Sequence, residues 1–173
     1  FDQVILDALR QAGDAEIALS PGFRWGTSLL PGTPITMEDV LTQTAMTYPE
    51  TYVREMKGSE LKTILEDVAD NLFNPDPYLQ QGGDMVRVGG LDYVCSPNQG
   101  TGQRIAEMRL DDGRLVEADK TYKVTGWATV GAQSPGRPVW ELVAEYLRGQ
   151  KTLALKKVNA TKLVGVDGNP GLA

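Results

Sequence analysis

The chain has 173 residues, 23 acidic against 17 basic, a formal net charge of −6, no histidine and one cysteine. Zero histidine excludes a Ser-His-Asp triad, a Cys-His pair, a haem-proximal histidine and most catalytic zinc sites within this chain. The lone Cys95 excludes an internal disulfide framework, and an acidic balance argues against a nucleic-acid binder, which needs a basic face.

Val4, Ile5, Ala8, Leu9 and Ala12 form one apolar helical stripe over Asp2 to Ala12, which Gly13 stops. Glu16 to Leu19 reads as a short strand that runs into a turn-rich loop, Ser20 to Gly26. Thr36 is a helix N-cap, with acids in the first turn at Glu38 and Asp39. Thr51 to Lys57 has strand composition. Gly58-Ser59 then opens the clearest helix, with Leu61, Ile64, Leu65, Val68, Ala69, Leu72 and Phe73 on one face.

Asn74-Pro75-Asp76-Pro77 cannot be helical and marks a loop. Met85 to Val88 and Leu91 to Val94 are strand pieces around Gly89-Gly90, which predicts a bulge or a close backbone approach. Arg104 to Leu110 and Arg114 to Val116 flank an Asp111-Asp112-Gly113 turn as a hairpin. Thr121 to Val130 is a further strand, and Val139 to Leu147 an amphipathic helix bounded by Pro138 and Gly149. The end, Lys151 to Ala173, carries one short apolar stretch at Leu163 to Val166.

Helices interleave with strands and hairpins, so the expected class is mixed α/β (α+β). Hydrophobic content of 41% and charged content of 23% are those of an ordinary folded domain. One domain is expected, with a core over about residues 1–150 and a C-terminal extension over 151–173. No apolar run reaches the ~20 residues needed to span a bilayer. The chain starts at Phe1 without methionine or a signal peptide, as a piece of a larger protein or a processed chain would.

Arg24 is the most suggestive single residue. It sits on a loop leaving a strand, and its planar fork suits a bidentate grip on phosphate, sulfonate or carboxylate. The alternative is a structural ion pair. Gln80-Gln81-Gly82-Gly83-Asp84 either lets backbone N–H groups approach an anion or a peptide, or is a plain turn. Glu66, Asp67 and Asp70 are expected on a solvated helix face. Asp111-Asp112-Gly113 lacks the later ligands of a calcium loop and reads as a turn. Cys95, with no histidine to activate it, reads as structural. Trp127 is either a core tryptophan or a cleft wall. No complete catalytic set is present, so in an enzyme this chain supplies binding groups while another domain supplies the reactive ones.

Several segments in order resemble the C-terminal domain of the 5′-nucleotidase family. They are Glu16 to Arg24, Pro31 to Leu41, Met56 to Lys62, Val88 to Tyr93 and Asp119 to Val124, within residues 1–150. They are similar to the family's Gly-Gly-x-Arg turn, Gly-x-Ile-Thr-x-x-Asp-Val-Leu helix start, Thr-Gly-x-Glu-Leu-Lys helix start, Val-Ser-Gly-Leu-Arg-Tyr strand and Asp-x-x-Thr-Tyr-x-Val strand. Two departures remove parts of a nucleoside pocket: Met46 to Glu50 stands for a Pro-Phe-Gly-Asn turn, and Gly131 to Gly136 for a Gly-Gly-Asp-Gly-Tyr turn.

Within that family, Leu19 to Gly26, Tyr78 to Gly90 and Gly126 to Val130 look like the SoxB branch, the sulfate thiohydrolases (thiosulfohydrolases) of bacterial sulfur oxidation. The resemblance implies a periplasmic hydrolase that acts on a cysteine S-thiosulfonate of the SoxYZ carrier and releases sulfate. It implies two manganese ions in an N-terminal metallophosphatase domain, and no cofactor or metal in this one. Arg24 maps onto the family's anion-binding arginine. Tyr48, Gln81, Gly82, Gly83, Asp84 and Trp127 complete the expected substrate- and carrier-binding set. A nucleotidase or cyclic-nucleotide phosphodiesterase with a divergent base pocket, and a non-catalytic binding domain of the same fold, are the alternatives.

Overall fold

The computed structural model describes residues 1–129 and 136–167. The stripe predicted at the start of the chain is helix α1 (Asp2–Gly13), which buries Val4, Ile5, Ala8 and Leu9 and adds Gln3 and Leu6. Ala12, at its end, stays exposed. The helix is closed by Asp14, which takes the left-handed conformation (φ 46°) and bonds back to Arg10 and Gln11, rather than by Gly13. Gly13 instead lets the helix close on the sheet: a Cβ there would press on Val53 and Thr125 at 3.1–3.3 Å.

Strand β1 (Ile17–Ser20) is buried at every position, as a central strand covered on both faces must be. It pairs in parallel with β6 (Thr121–Trp127) and antiparallel with β3 (Arg87–Gly89), and β2 (Thr51–Lys57) pairs antiparallel with β6. The order is β2-β6-β1-β3. Ile17 and Leu19 face a core shared with helix α3 (Gly58–Phe73), whereas Ala18 faces α1 and helix α4 (Val139–Gln150). Helix α2 (Met37–Thr44) starts as predicted, with a reciprocal Thr36–Asp39 capping box. α4 runs through Gly149 to Gln150, because its buried face of Val139, Leu142, Val143 and Ala144 carries the helix past one glycine.

The pieces around Gly89-Gly90 belong to different sheets. Gly90 (φ +75°) turns the chain out of β3 and into β4 (Leu91–Cys95), and a side chain there would collide with the carbonyl of Glu16. The close approach is therefore the correct alternative, not the bulge. β4 pairs with β5 (Ile105–Leu110) and with the short β7 (Lys162–Leu163). The predicted hairpin forms only partly. Gly113 N–H closes the turn on Leu110 and Val116 N–H reaches Met108, but the return arm is a single bridge, Arg109 to Leu115. β5 spends its other edge on β4. The part of the predicted strand at Val130, and residues 131–135 of the altered turn, lie outside the described residues.

The predicted solvated face of α3 needs correction. Glu66 is buried, and its two oxygens accept the backbone N–H groups of Gly102, Arg104 and Ile105. Asp70 accepts from the buried Arg104 at 2.6 Å and from Thr101 at 2.7 Å. Only Asp67 is exposed. These acids fold the loop between β4 and β5 down onto the helix, which charge spacing along one helix cannot reveal. The 151–167 segment is tied to the body by Asn159, which accepts from Gly90 N–H at 3.0 Å and donates to Asp92 and Asp111 at 2.9 and 3.0 Å.

Candidate functional site

The pairing registers place every candidate element at one end of the four-stranded sheet. Ser20 ends β1 opposite Arg87 at the start of β3, and Trp127 ends β6 opposite Thr51 at the start of β2. Arg24 follows β1, Tyr48 precedes β2, and Gln81 to Asp84 precede β3. In sheets with parallel neighbours, here β1 and β6, ligands are taken up beyond the carboxyl ends of the strands.

Arg24 and Trp127 are brought into contact. The guanidinium Cζ lies 5.8 Å from the indole centroid, within cation–π range. Trp127 is only 3% exposed and belongs to the core on the α1 face of the sheet, so the core alternative describes it, with its ring as a platform under Arg24. The predicted fork is already committed. Arg24 Nε donates to Gly22 O at 3.1 Å, and Nη2 donates to Gly22 O at 2.7 Å and Pro21 O at 2.9 Å. Among the described residues no carboxylate pairs with Arg24, so the structural ion pair is not its role. Among the described residues nothing accepts from Nη1, so its two N–H bonds are the donors left for an anion.

The Arg24 turn is held from below by the chain's first helix. Asp2 Oδ1 accepts Phe23 N–H at 2.8 Å, and Asp2 Oδ2 accepts Arg87 Nε at 3.0 Å. Arg87 also reaches Asp84 at 3.5 Å. The chain Asp84–Arg87–Asp2–Phe23 therefore links the glycine-rich loop to the arginine turn. Asp2 and Arg87 are 85 residues apart, and no spacing pattern marks them as partners. Arg24 N–H is taken by Gln43 O at 2.8 Å, so α2 also braces this loop.

The other predicted residues share this end, and among the described residues none has a hydrogen bond or ion pair to Arg24. Tyr48 is exposed on the loop before β2, and among the described residues no hydrogen bond or ion pair joins it to Arg24. Gln81, Gly82, Gly83 and Asp84 are exposed, and both glycines have positive φ (+76° and +95°) with open space around them. The Gly82 N–H is already taken by Asn71 O at 3.3 Å, which ties this loop to α3, so the exposed Gly83 and Asp84 are what the loop offers to a peptide. Phe23, Trp25, Tyr78 and Leu79 add exposed apolar surface on the same loops. Ala128, directly after Trp127, is held at φ +63°, a conformation costly for a residue with a Cβ and common at functional turns. Among the described residues no group of three or more His, Cys, Asp or Glu is arranged to hold a metal ion, and no helix is long and apolar enough to cross a membrane. Cys95 is buried, and burial pushes its thiol up from the ordinary range, as suits a structural residue.

Comparison with known proteins gives this geometry a family. Sulfate thiohydrolase SoxB of Thermus thermophilus, solved in complex with glycerol, superimposes with a TM-score of 0.84 at 35% identity, over 97% of this chain and 32% of that one. A putative 5′-nucleotidase from Staphylococcus aureus gives 0.72 at 19% identity, over 94% of this chain and 36% of that one, which supports the fold. The trifunctional nucleotide phosphoesterase YfkN of Bacillus subtilis is 28% identical over 141 residues, 79% of this chain and 9% of that protein. The chain therefore spans about a third or less of each of these relatives. Residues 1–136 match the family described as 5′-nucleotidase, C-terminal domain, and the chain belongs to that family.

Proposed function

We propose that this domain supplies the substrate- and carrier-binding surface of a SoxB-type sulfate thiohydrolase. Its substrate is a cysteine S-thiosulfonate on the SoxYZ carrier, and its product is sulfate. The observation that carries the reading is Arg24, held over Trp127 with Nη1 uncommitted among the described residues, at the sheet end shared by all the candidate loops. The likeness to SoxB over nearly the whole chain supports it. A fixed positive charge at that place neutralises sulfonate oxygens and keeps the sulfur in position for attack. The exposed loop at Gly82 and Gly83, where a side chain would meet only open space, suits the extended cysteine-bearing arm of a carrier, with Tyr48 across the same sheet end.

The reactive groups belong to a different domain in this reading. Two manganese ions held by an N-terminal metallophosphatase domain are part of it, and the described residues of this chain do not fit such a site. The protein would work in the periplasm. The isolated chain is expected to be inactive, and turnover by the purified 173-residue chain would overturn this division of labour. The decisive experiment is Arg24→Ala in the full-length protein, assayed on carrier-bound thiosulfonate. A loss of about 10²–10³ in kcat, the cost of one lost oxyanion donor, is expected; unchanged turnover sinks the assignment.

The second reading is a nucleotidase or cyclic-nucleotide phosphodiesterase, favoured by the matched family and by the likeness to YfkN. Protection by AMP or adenosine in a thermal-shift assay would support it. The absence of Pro-Phe-Gly-Asn at Met46 to Glu50 argues against a base-stacking pocket.

A further inference from the structure

We propose that Ser20 is the positioning residue of this site, a single hydroxyl that sets both the platform beneath Arg24 and the turn beside it; the inference rests on Arg24 being the anion-binding group. Ser20 is the last residue of β1 and is 2% exposed. Its Oγ accepts the indole Nε1–H of Trp127 at 2.8 Å and the backbone N–H of Gly22 at 3.0 Å. Both of its lone pairs are thereby used.

The two accepted bonds act on opposite sides of the same guanidinium. The Trp127 bond fixes the rotation of the ring over which Arg24 lies. An indole has one N–H and no acceptor, so no other group of the ring can hold that angle. The Gly22 bond fixes the turn at a residue with φ +93°. That turn presents the Pro21 and Gly22 carbonyls that take three of the donor contacts of Arg24. With Ser20 removed, a buried indole N–H and a turn N–H lose their acceptor together, and both surfaces that aim Nη1 are released. Ser20 touches no substrate in this arrangement. It acts through Arg24.

The test uses full-length protein and three variants. Ser20→Ala is expected to lower kcat by about tenfold or more with little change in KM, because a small misplacement of a charge-stabilising group is felt in the transition state. Ser20→Thr, which keeps the hydroxyl, is expected to recover most of the rate. Trp127→Phe keeps an aromatic face but loses the N–H, and should fall in the same direction as Ser20→Ala. In the isolated chain, the Trp127 indole N–H resonance should shift in Ser20→Ala while those of Trp25 and Trp140 stay. If Ser20→Ala proves too unstable to assay, normal turnover by Trp127→Phe overturns the proposal on its own. Normal turnover by Ser20→Ala beside an inactive Arg24→Ala overturns the positioning role and leaves the function standing. Normal turnover by Arg24→Ala overturns the function itself.

Discussion

Arg87 Nε and Asp2 Oδ2 meet at 3.0 Å, joining the first strand residue of β3 to the first residue of α1 across 85 positions of sequence. The same carboxylate holds the backbone of Phe23 through its other oxygen. One side chain therefore joins the helix, the sheet edge and the arginine turn. It also lies in the first turn of α1, where a negative charge complements the helix dipole.

Asp2→Ala leaves Phe23 N–H and Arg87 Nε without their acceptor, while Arg87 keeps Met85 O and Asp84. Both partners are about a third exposed, so the ion pair itself contributes little and the hydrogen bonds contribute most. A loss of about 1–2 kcal/mol is expected. Urea denaturation measures it, and an unchanged midpoint would show that the turn does not depend on α1.

Glu66 presents a larger effect, because one buried carboxylate serves three backbone donors. Glu66→Gln keeps the shape but turns one acceptor into a donor facing an N–H. The expected cost is about 2–3 kcal/mol, with faster hydrogen exchange at Gly102, Arg104 and Ile105. Exchange rates equal to wild type at those amides would contradict the assignment.

Hydrogen bonds from Thr101, Arg104 and Asn74 hold the Asp70 carboxyl down at about 2, against an ordinary 3.8. A depressed acid binds fewer protons in the folded state, so its contribution is present above pH 3.8 and lost as pH falls toward 2. Asp70→Asn removes that titration. Its stability should change less than wild type between pH 4 and pH 2, and parallel curves for the two proteins would refute the prediction.

Asn159 is the fourth test. It answers the N–H of Gly90, the residue that switches the chain between sheets, and its amide bridges Asp92 and Asp111. Lys157 adds ion pairs to the same two acids at 2.6 and 2.8 Å. Asn159→Ala should cost about 2 kcal/mol and lower the thermal midpoint by several degrees. An unaltered midpoint would mean that the 151–167 segment lies on the domain without supporting it.

Local patterns made much of the fold legible. The apolar spacing of Val4 to Leu9, the Thr36 cap and the Gly58 to Phe73 stripe each became the predicted helix, because helix signals lie within a few residues of one another. Strand positions were legible too, apart from the return arm after Asp111-Asp112-Gly113, which is only the single bridge of Leu115 to Arg109. What failed were statements about partners. Glu66 and Asp70 looked solvated because the residues that cover them, Gly102 to Ile105, lie some 30 to 40 positions away.

The candidate site divides along the same line. By itself the sequence determined that the chain carries no histidine-based chemistry, that its class is mixed α/β, and that Arg24 stands on a loop after a strand, since residue identity and local periodicity are sufficient for those conclusions. Only the tertiary structure decided that Arg24 rests on Trp127 rather than on a carboxylate, that Ser20 and Asp2 hold its turn, and that the loops before β2 and β3 open at the same sheet end. Strand order and register set those relationships. They are fixed by which apolar faces can be buried together over the whole chain, and that is a global condition no local pattern contains.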